Sequence, residues 1–215
     1  MLQHLPARAS FKQQMLRARE ASIIQAVNRL LAEKGFDAMT VEEVANQVGV
    51  AKASLYKHYP TKEDLATAAM VNMLRRMQEV VSEIADNVTA APLDKLKAVA
   101  RWVMAAQLAG EMPSLPRPRS SLRANLVGNA AYRDCLKAVS DALRVWIEAA
   151  QASGVLNPEM PAIAVLYTVY ARACDPVLEF LKDSGQYTAE QLIDLVVSTC
   201  FDGLRTRSLP ATSLA

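Results

Sequence analysis

Residues 40–65 read Thr40-Val41-Glu42-Glu43-Val44-Ala45-Asn46-Gln47-Val48-Gly49-Val50-Ala51-Lys52-Ala53-Ser54-Leu55-Tyr56-Lys57-His58-Tyr59-Pro60-Thr61-Lys62-Glu63-Asp64-Leu65. Thr40 and Glu43 have the spacing of a capping box, in which hydroxyl and carboxylate satisfy the free amides of a helix start, so a helix begins at about Val41. Val41, Val44, Ala45 and Val48 fall at i, i+3, i+4 and i+7 and give that helix one buried face before Gly49 interrupts it. A second short helix covers about 51–57, with Leu55 pointing inward. It ends at His58-Tyr59-Pro60, because the residue before a proline is pushed out of helical geometry. Thr61-Lys62-Glu63-Asp64 is another capped start. Two short helices separated by about four residues have the spacing of a helix-turn-helix. Ala45 is small enough for the helices to cross closely, Gly49 permits the turn, and Val50 and Leu55 hold the second helix on the core.

Working outward, Ile23, Ile24, Val27, Leu30 and Leu31 mark a first helix from about Phe11 to Lys34, closed by Gly35 and preceded by a tail over 1–10. On the other side, Met70, Met73, Leu74, Met77, Val80, Val81 and Ile84 carry a long fourth helix up to the break at Ala90-Ala91-Pro92. A fifth helix follows from Leu93 to about Leu108. Pro113, Pro116 and Pro118 then make Met112 to Arg119 a loop. Helical spacing resumes over about 120–126, 130–152, 161–182 and 189–205, with a kink expected at Pro176. No segment alternates as a strand does. The expected fold is all-α with about nine helices: a helix-turn-helix domain of three helices over 11–60, then a larger helical domain over 61–215.

Composition narrows the function classes. With 52% hydrophobic and 21% charged residues, the 215-residue chain has a globular composition and the length for one or two packed units. The apolar stretch Met160 to Ala171 is well short of the roughly 20 residues a membrane span needs. The start, MLQHLPARASFK, lacks the apolar core of an export signal, so the cytoplasm is the expected compartment and no membrane partner is expected. Cys135, Cys174 and Cys200 are far apart and without CxxC spacing, which disfavours a disulfide framework and a zinc site and leaves buried thiols. His4 and His58 are too few for a catalytic or metal-binding histidine cluster, and no cofactor motif is present. The net charge of +2 says little. Up to Leu31, however, Arg8, Lys12, Arg17, Arg19 and Arg29 face only Glu20, a basic segment able to follow a phosphate backbone.

The outer face of the second short helix is Lys52, Ala53, Ser54, Tyr56, Lys57 and His58. It mixes donors, positive charge and a small apolar group that fits beside a thymine methyl, which is the chemistry a DNA major groove can read. Taken singly, the lysines are also ordinary surface residues, and Tyr56 and Tyr59 are also ordinary packing residues.

The stretch from Gly35-Phe36 through Thr40–Ala45 and on from Gly49 to Leu65 resembles the N-terminal pattern of the TetR family of regulators. The resemblance covers about a quarter of the chain. It implies that Lys52, Ser54 and Lys57 face bases or phosphates of a double-stranded DNA operator. Tyr56, His58 and Thr40 would touch the phosphate backbone, Lys62 would pair with a phosphate, and Lys57 would contribute to operator choice. It also implies a homodimer through the last two helices and a small-molecule ligand, of unknown identity, that releases a repressor from a palindromic operator. The last helix supports a second copy on its own terms. Leu192, Ile193, Leu195, Val196, Val197, Cys200, Phe201 and Leu204 are too many apolar positions for one stripe.

Candidate walls for the ligand pocket are Trp102, Met104, Gln107, Met112, Tyr132, Trp146, Tyr167, Tyr170, Arg172 and Asp175. Helix four, joined at Thr61–Leu65 to the recognition helix, is the element a ligand would shift. Two other classes stand beside this one. An interaction module without DNA binding would keep the helices and lose the operator. An all-helical enzyme would use Glu148, Asp175 and Glu179, which no nucleophile, phosphate-loop or metal motif organises.

Overall fold

The computed structural model describes residues 11–114, 116, 117 and 119–204. The expected tail over 1–10, with Arg8, lies outside the described residues, as do Pro118 and the end of the last helix beyond Leu204. Every element among the described residues is helical: α1 Phe11–Ala38, α2 Val41–Val48, α3 Lys52–Tyr56, α4 Lys62–Asp86, α5 Pro92–Leu108, α6 Ser121–Gly128, α7 Ala130–Ala152, α8 Ala162–Ala171, α9 Pro176–Asp183 and α10 Ala189–Leu204. None of them is long and apolar enough to cross a membrane.

Two apolar cores are built on this frame. The first holds Ile23, Val27, Leu30 and Leu31 of α1, Val41, Val44 and Ala45 of α2, Leu55 of α3, and α4 as far as Met70. The second begins at Met73 of the same helix and takes in α5, α7, α8, α9 and α10. Helix α4 is therefore the spine of both, and the cores part between Met70 and Met73. We call the units the head and the body. The head's core also contains Leu122 and Leu126, which come from α6 far downstream, Leu122 with no exposed surface.

Gly35, at φ 73° and ψ 173°, turns the backbone out of α1 before a last turn to Ala38, so Phe36 folds against the head's core. The run expected as one kinked helix over 161–182 is instead two helices with a 3₁₀ turn, Arg172–Cys174, between them, and this makes ten α-helices where about nine were expected. Proline offers no N–H and its ring crowds the carbonyl four residues back, which stops α8. Asp175 then caps the restart, its carboxylate accepting from the Val177 N–H at 3.0 Å, with Pro176 in the first helical position.

Candidate nucleic-acid interface

The geometry of residues 40–65 follows from local chemistry. The Thr40 hydroxyl accepts from the Glu43 N–H at 3.2 Å, and the Glu43 carboxylate accepts from the Thr40 N–H at 3.0 Å. Such a cap is worth about 1 kcal/mol. Lys34 pairs with Glu43 and fastens α1 to this cap. The Glu43 carboxyl is held below the usual carboxylate range by Lys34 first and Thr40 second. Gly49, at φ 71°, takes the left-handed conformation that lets the Val50 N–H donate back to the Ala45 carbonyl at 2.9 Å. Helix α3 starts two residues later and seats itself with Leu55, 1% exposed.

That seating turns the other side of α3 to solvent. Lys52, Ala53, Tyr56, Lys57 and His58 are all exposed, with Tyr56 at 42%, and Ser54 is half-buried. The Ser54 hydroxyl accepts from the Arg19 guanidinium at 3.3 Å, so α1 brings a basic residue onto the flank of α3. Reasoning on the sequence placed Arg19 in a basic leading segment but not in the site. The signal available was only its charge, since its contact with Ser54 spans 35 residues. Thr40 is exposed at the start of α2. Lys62 is turned inward: its ammonium donates to the Asp37 carbonyl at 3.2 Å and lies 4.4 Å from the centre of the Phe36 ring. A phosphate contact by Lys62 therefore competes with a bond that closes the end of α1.

Hydrogen bonds at and near the base of α4 fasten α6 and the proline-rich loop to the head. The Thr61 N–H and hydroxyl both donate to Asp64, at 3.2 and 2.7 Å. Asn125 of α6 donates to Asp64 at 3.3 Å and accepts from the Thr67 hydroxyl at 2.8 Å. Ser121 donates to Glu63 at 2.6 Å. Ser114, in the proline-rich loop, donates to the Leu31 carbonyl of α1 at 2.8 Å. None of these α6 and loop contacts was named from the sequence.

The ten candidate ligand residues are spread through the body and its junction with the head. Met104 is fully buried, Met112 and Trp146 are each 9% exposed, and Trp102 is half-buried with the Arg76 guanidinium 5.8 Å from its ring centre. Tyr132 packs on the head's core. Tyr170 and Ser140 share a hydrogen bond of 2.7 Å, while Tyr167 is 64% exposed. Gln107 clasps the backbone of Asp175, donating to its carbonyl at 3.0 Å and accepting its N–H at 3.2 Å. The Asp175 carboxylate is buried and paired with Arg172, whose Nε is buried without a hydrogen-bond partner among the described residues. Burial raises the Cys200 thiol above its usual range, so it is not a ready thiolate. None of the ten residues lines the clefts of about 510 and 820 Å³ found among the described residues. Among the described residues, no three His, Cys, Asp or Glu side chains are grouped so as to hold a metal ion.

Residues 23–69 match the sequence profile of bacterial regulatory proteins, tetR family. An uncharacterized HTH-type transcriptional regulator of Mycobacterium tuberculosis is 36% identical over 59 residues, which are 27% of this chain and 29% of that protein. The HTH-type transcriptional repressor KstR2 of Mycobacterium tuberculosis is 29% identical over 80 residues, 37% of this chain and 40% of the relative. The chain thus matches well under half the length of these curated relatives. Solved structures extend the likeness to the whole fold. The fatty acid degradation regulator FadR of Bacillus halodurans superposes with a TM-score of 0.66 at 19% identity, over 88% of this chain and 97% of that one. FadR of Bacillus subtilis, solved in complex with stearoyl-CoA, gives 0.64 at 19% identity over 86% and 99%.

Proposed function

Because the chain belongs, through its N-terminal domain, to the TetR family of bacterial regulatory proteins, we propose that it is a homodimeric transcriptional repressor that leaves its DNA operator when a small molecule binds the body. The observation that carries this reading is the α3 surface. Five exposed side chains, Lys52, Ala53 and Tyr56 on α3 and Lys57 and His58 in the turn that follows it, where a helix had been expected to run to about 57, stand opposite Leu55, which locks α3 into the core, with Arg19 at its flank. A rigid helix with a basic, donor-rich outer face suits the major groove. Lys52, Ala53, Ser54 and Lys57 would meet the bases and nearby phosphates. Thr40, Tyr56 and His58 would hold the backbone, and Lys62 would join them on exchanging its bond to Asp37 for a phosphate.

Release would run through α4 and α6. A ligand held among the candidate body residues, with Gln107, Tyr170, Arg172 and Asp175 as its polar partners, would move α4 and with it the base of the head. Ligand complexes occur in this fold, as in the stearoyl-CoA complex of Bacillus subtilis FadR, which supports an effector in the body without naming this one. To be effective the ligand must favour the released state by a few kcal/mol. As a DNA-binding protein it would work in the cytoplasm.

Gel-shift titration against the protein's own promoter region tests the reading. Salt-sensitive, sequence-dependent binding is expected. Lys57→Ala should weaken binding by about 1–3 kcal/mol and relax base preference. Arg19→Ala should weaken all sequences alike and reduce the salt slope by about one. The absence of salt-sensitive binding across candidate operators would favour an interaction module. Equal loss of base preference in both variants would show the readout to be misassigned.

A further inference from the structure

The cleft of about 820 Å³ is a groove of the head between α1 and the end of α2. On α1 its lining extends from Met15 to Arg29, roughly 21 Å at the rise of a helix. Ala18, Ser22 and Ala26 recur there at every fourth position, and such small side chains let a second helix approach the axis of α1 closely. Apolar groups stand along the groove. Met15 and Leu16 are 57% and 53% exposed, and Val48 and Val50, across from α1, are half-buried.

The charged side chains of the lining are Arg19 and Arg29, and no carboxylate stands among the described lining residues. Arg29 makes no side-chain hydrogen bond or ion pair among the described residues, and Arg19 bonds the uncharged Ser54 hydroxyl. Glu20, next to Arg19 in the chain, lines the other cleft, where Arg17 stands with it. Glu43 of α2 is paired with Lys34. Just outside the lining, Glu33, one turn beyond Arg29, and Lys52, two residues beyond Val50, offset one another. The groove therefore keeps two uncompensated positive charges beside its apolar strip.

We propose that this groove docks an acidic amphipathic helix of a partner protein. The apolar stripe of that helix lies on Met15, Leu16, Val48 and Val50, and its carboxylates meet Arg19 and Arg29. The two arginines are about 15 Å apart along α1, a spacing that carboxylates three turns apart on the partner helix match. A DNA backbone would satisfy the arginines and leave the apolar strip bare, and exposed apolar strips of this kind mark protein contacts. The terminal segments 1–10 and 205–215 contain no acidic side chain, so neither complements the groove. Because Arg19 also flanks α3, the docked helix and an operator compete for one guanidinium. That consequence, unlike the docking itself, rests on the operator reading.

The test is fluorescence anisotropy, with the full chain at low salt, of a labelled amphipathic peptide of leucine, alanine and glutamate, about 18 residues long so as to span the groove. The same peptide with lysine for glutamate is the control. Saturable binding of the acidic peptide is expected, about tenfold or more tighter than that of the lysine peptide and reduced about tenfold or more by Arg29→Gln and by Leu16→Ser. Arg101→Gln, on α5 and paired with Asp194, should bind the acidic peptide as the unaltered protein does. Arg29 and Leu16 are both exposed, and far-UV circular dichroism verifies that their variants fold. No saturable binding, equal binding of the two peptides, or acidic-peptide affinity unchanged in both groove variants overturns the proposal. So does association of the protein alone beyond a dimer that Arg29→Gln abolishes in sedimentation, which would make a second copy the occupant. Added acidic peptide should displace operator DNA in the gel shift, and peptide and operator bound together would place the helix away from Arg19 and overturn the docking too. Variants that keep the peptide and lose operator affinity would assign the groove to DNA, with the same result. Arginine-dependent peptide binding with no operator binding would uphold the docking and remove the repressor reading alone.

Discussion

Asp64 shows how much one residue carries here. It closes the capping box of α4 and, through Asn125, reaches the α6 helix that enters the head's core. Its carboxyl is held below the usual carboxylate range, chiefly by the Thr61 hydroxyl and further by Asn125 and the Thr61 N–H, against a smaller opposing effect of burial. A native value below the unfolded one makes the stabilisation fully present above the ordinary carboxylate pKa of about 4 and lost as pH falls through the lowered native value. Asp64→Asn should therefore cost about 1 kcal/mol at neutral pH, the worth of a cap, and progressively less in acid. Thermal melts from neutral pH down through the carboxylate range check this. A gap between the two proteins that stayed constant or widened in acid would contradict it.

At the scale of elements, α6 is the part whose role is least visible in its own residues. Eight residues after a proline-rich loop look like a connector, yet Leu122 and Leu126 complete a core built otherwise from residues 23–70. Leu122→Ala should lower the stability of the head by about 2–5 kcal/mol, the range for a buried leucine. Denaturant unfolding followed by head- and body-specific hydrogen exchange would locate the loss, and a loss confined to the body would show that the two cores are not partitioned as described. The contrast with α2 and α3 explains what can be read from a sequence. Their caps, turn glycine and apolar spacing act within a few residues, so Thr40, Glu43, Gly49 and Leu55 announced the motif directly. The destination of Leu122 depends on packing across more than fifty residues, about which periodicity is silent: it tells which face is buried, not against what. For the same reason Pro176 was legible as an interruption but not as a full restart through a 3₁₀ turn. Among the ligand candidates, a pocket wall and a packed core share the same apolar composition, so Met104 and Trp146 could not be sorted by type. Lys62 posed the related problem of direction. Its position on α4 was clear, whereas its turn toward Asp37 belongs to the fold.

For the molecule as a whole, the outer side of the body carries large apolar side chains that its own core does not cover. Ile163 and Tyr167 on α8 are 55% and 64% exposed, and Leu195 on α10 is 44% exposed, although both helices bury their other sides in the body's core. A second copy packing α8 and α10 as a four-helix bundle would cover these residues and set two α3 helices on one operator. Tyr167→Glu combined with Leu195→Glu should shift the sedimenting species from dimer to monomer. Because both side chains are exposed, folding of the protomer should survive. Operator affinity should fall steeply as the second half-site is lost, and a dimer that persists in this variant would place the contact elsewhere, with α9 the first alternative through Phe180, 75% exposed.

The shared core at the head bears on how the two units can be recombined. A head cut at Pro60 would leave behind the part of α4 up to Met70 and the two leucines of α6 that fill its interior, and it would carry an apolar cavity where they had been. Modularity here does not follow the order of the chain. A transplant of the head must either take both segments along or confine itself to exposed side chains such as Lys52 and Ala53 of α3 and Lys57 just after it.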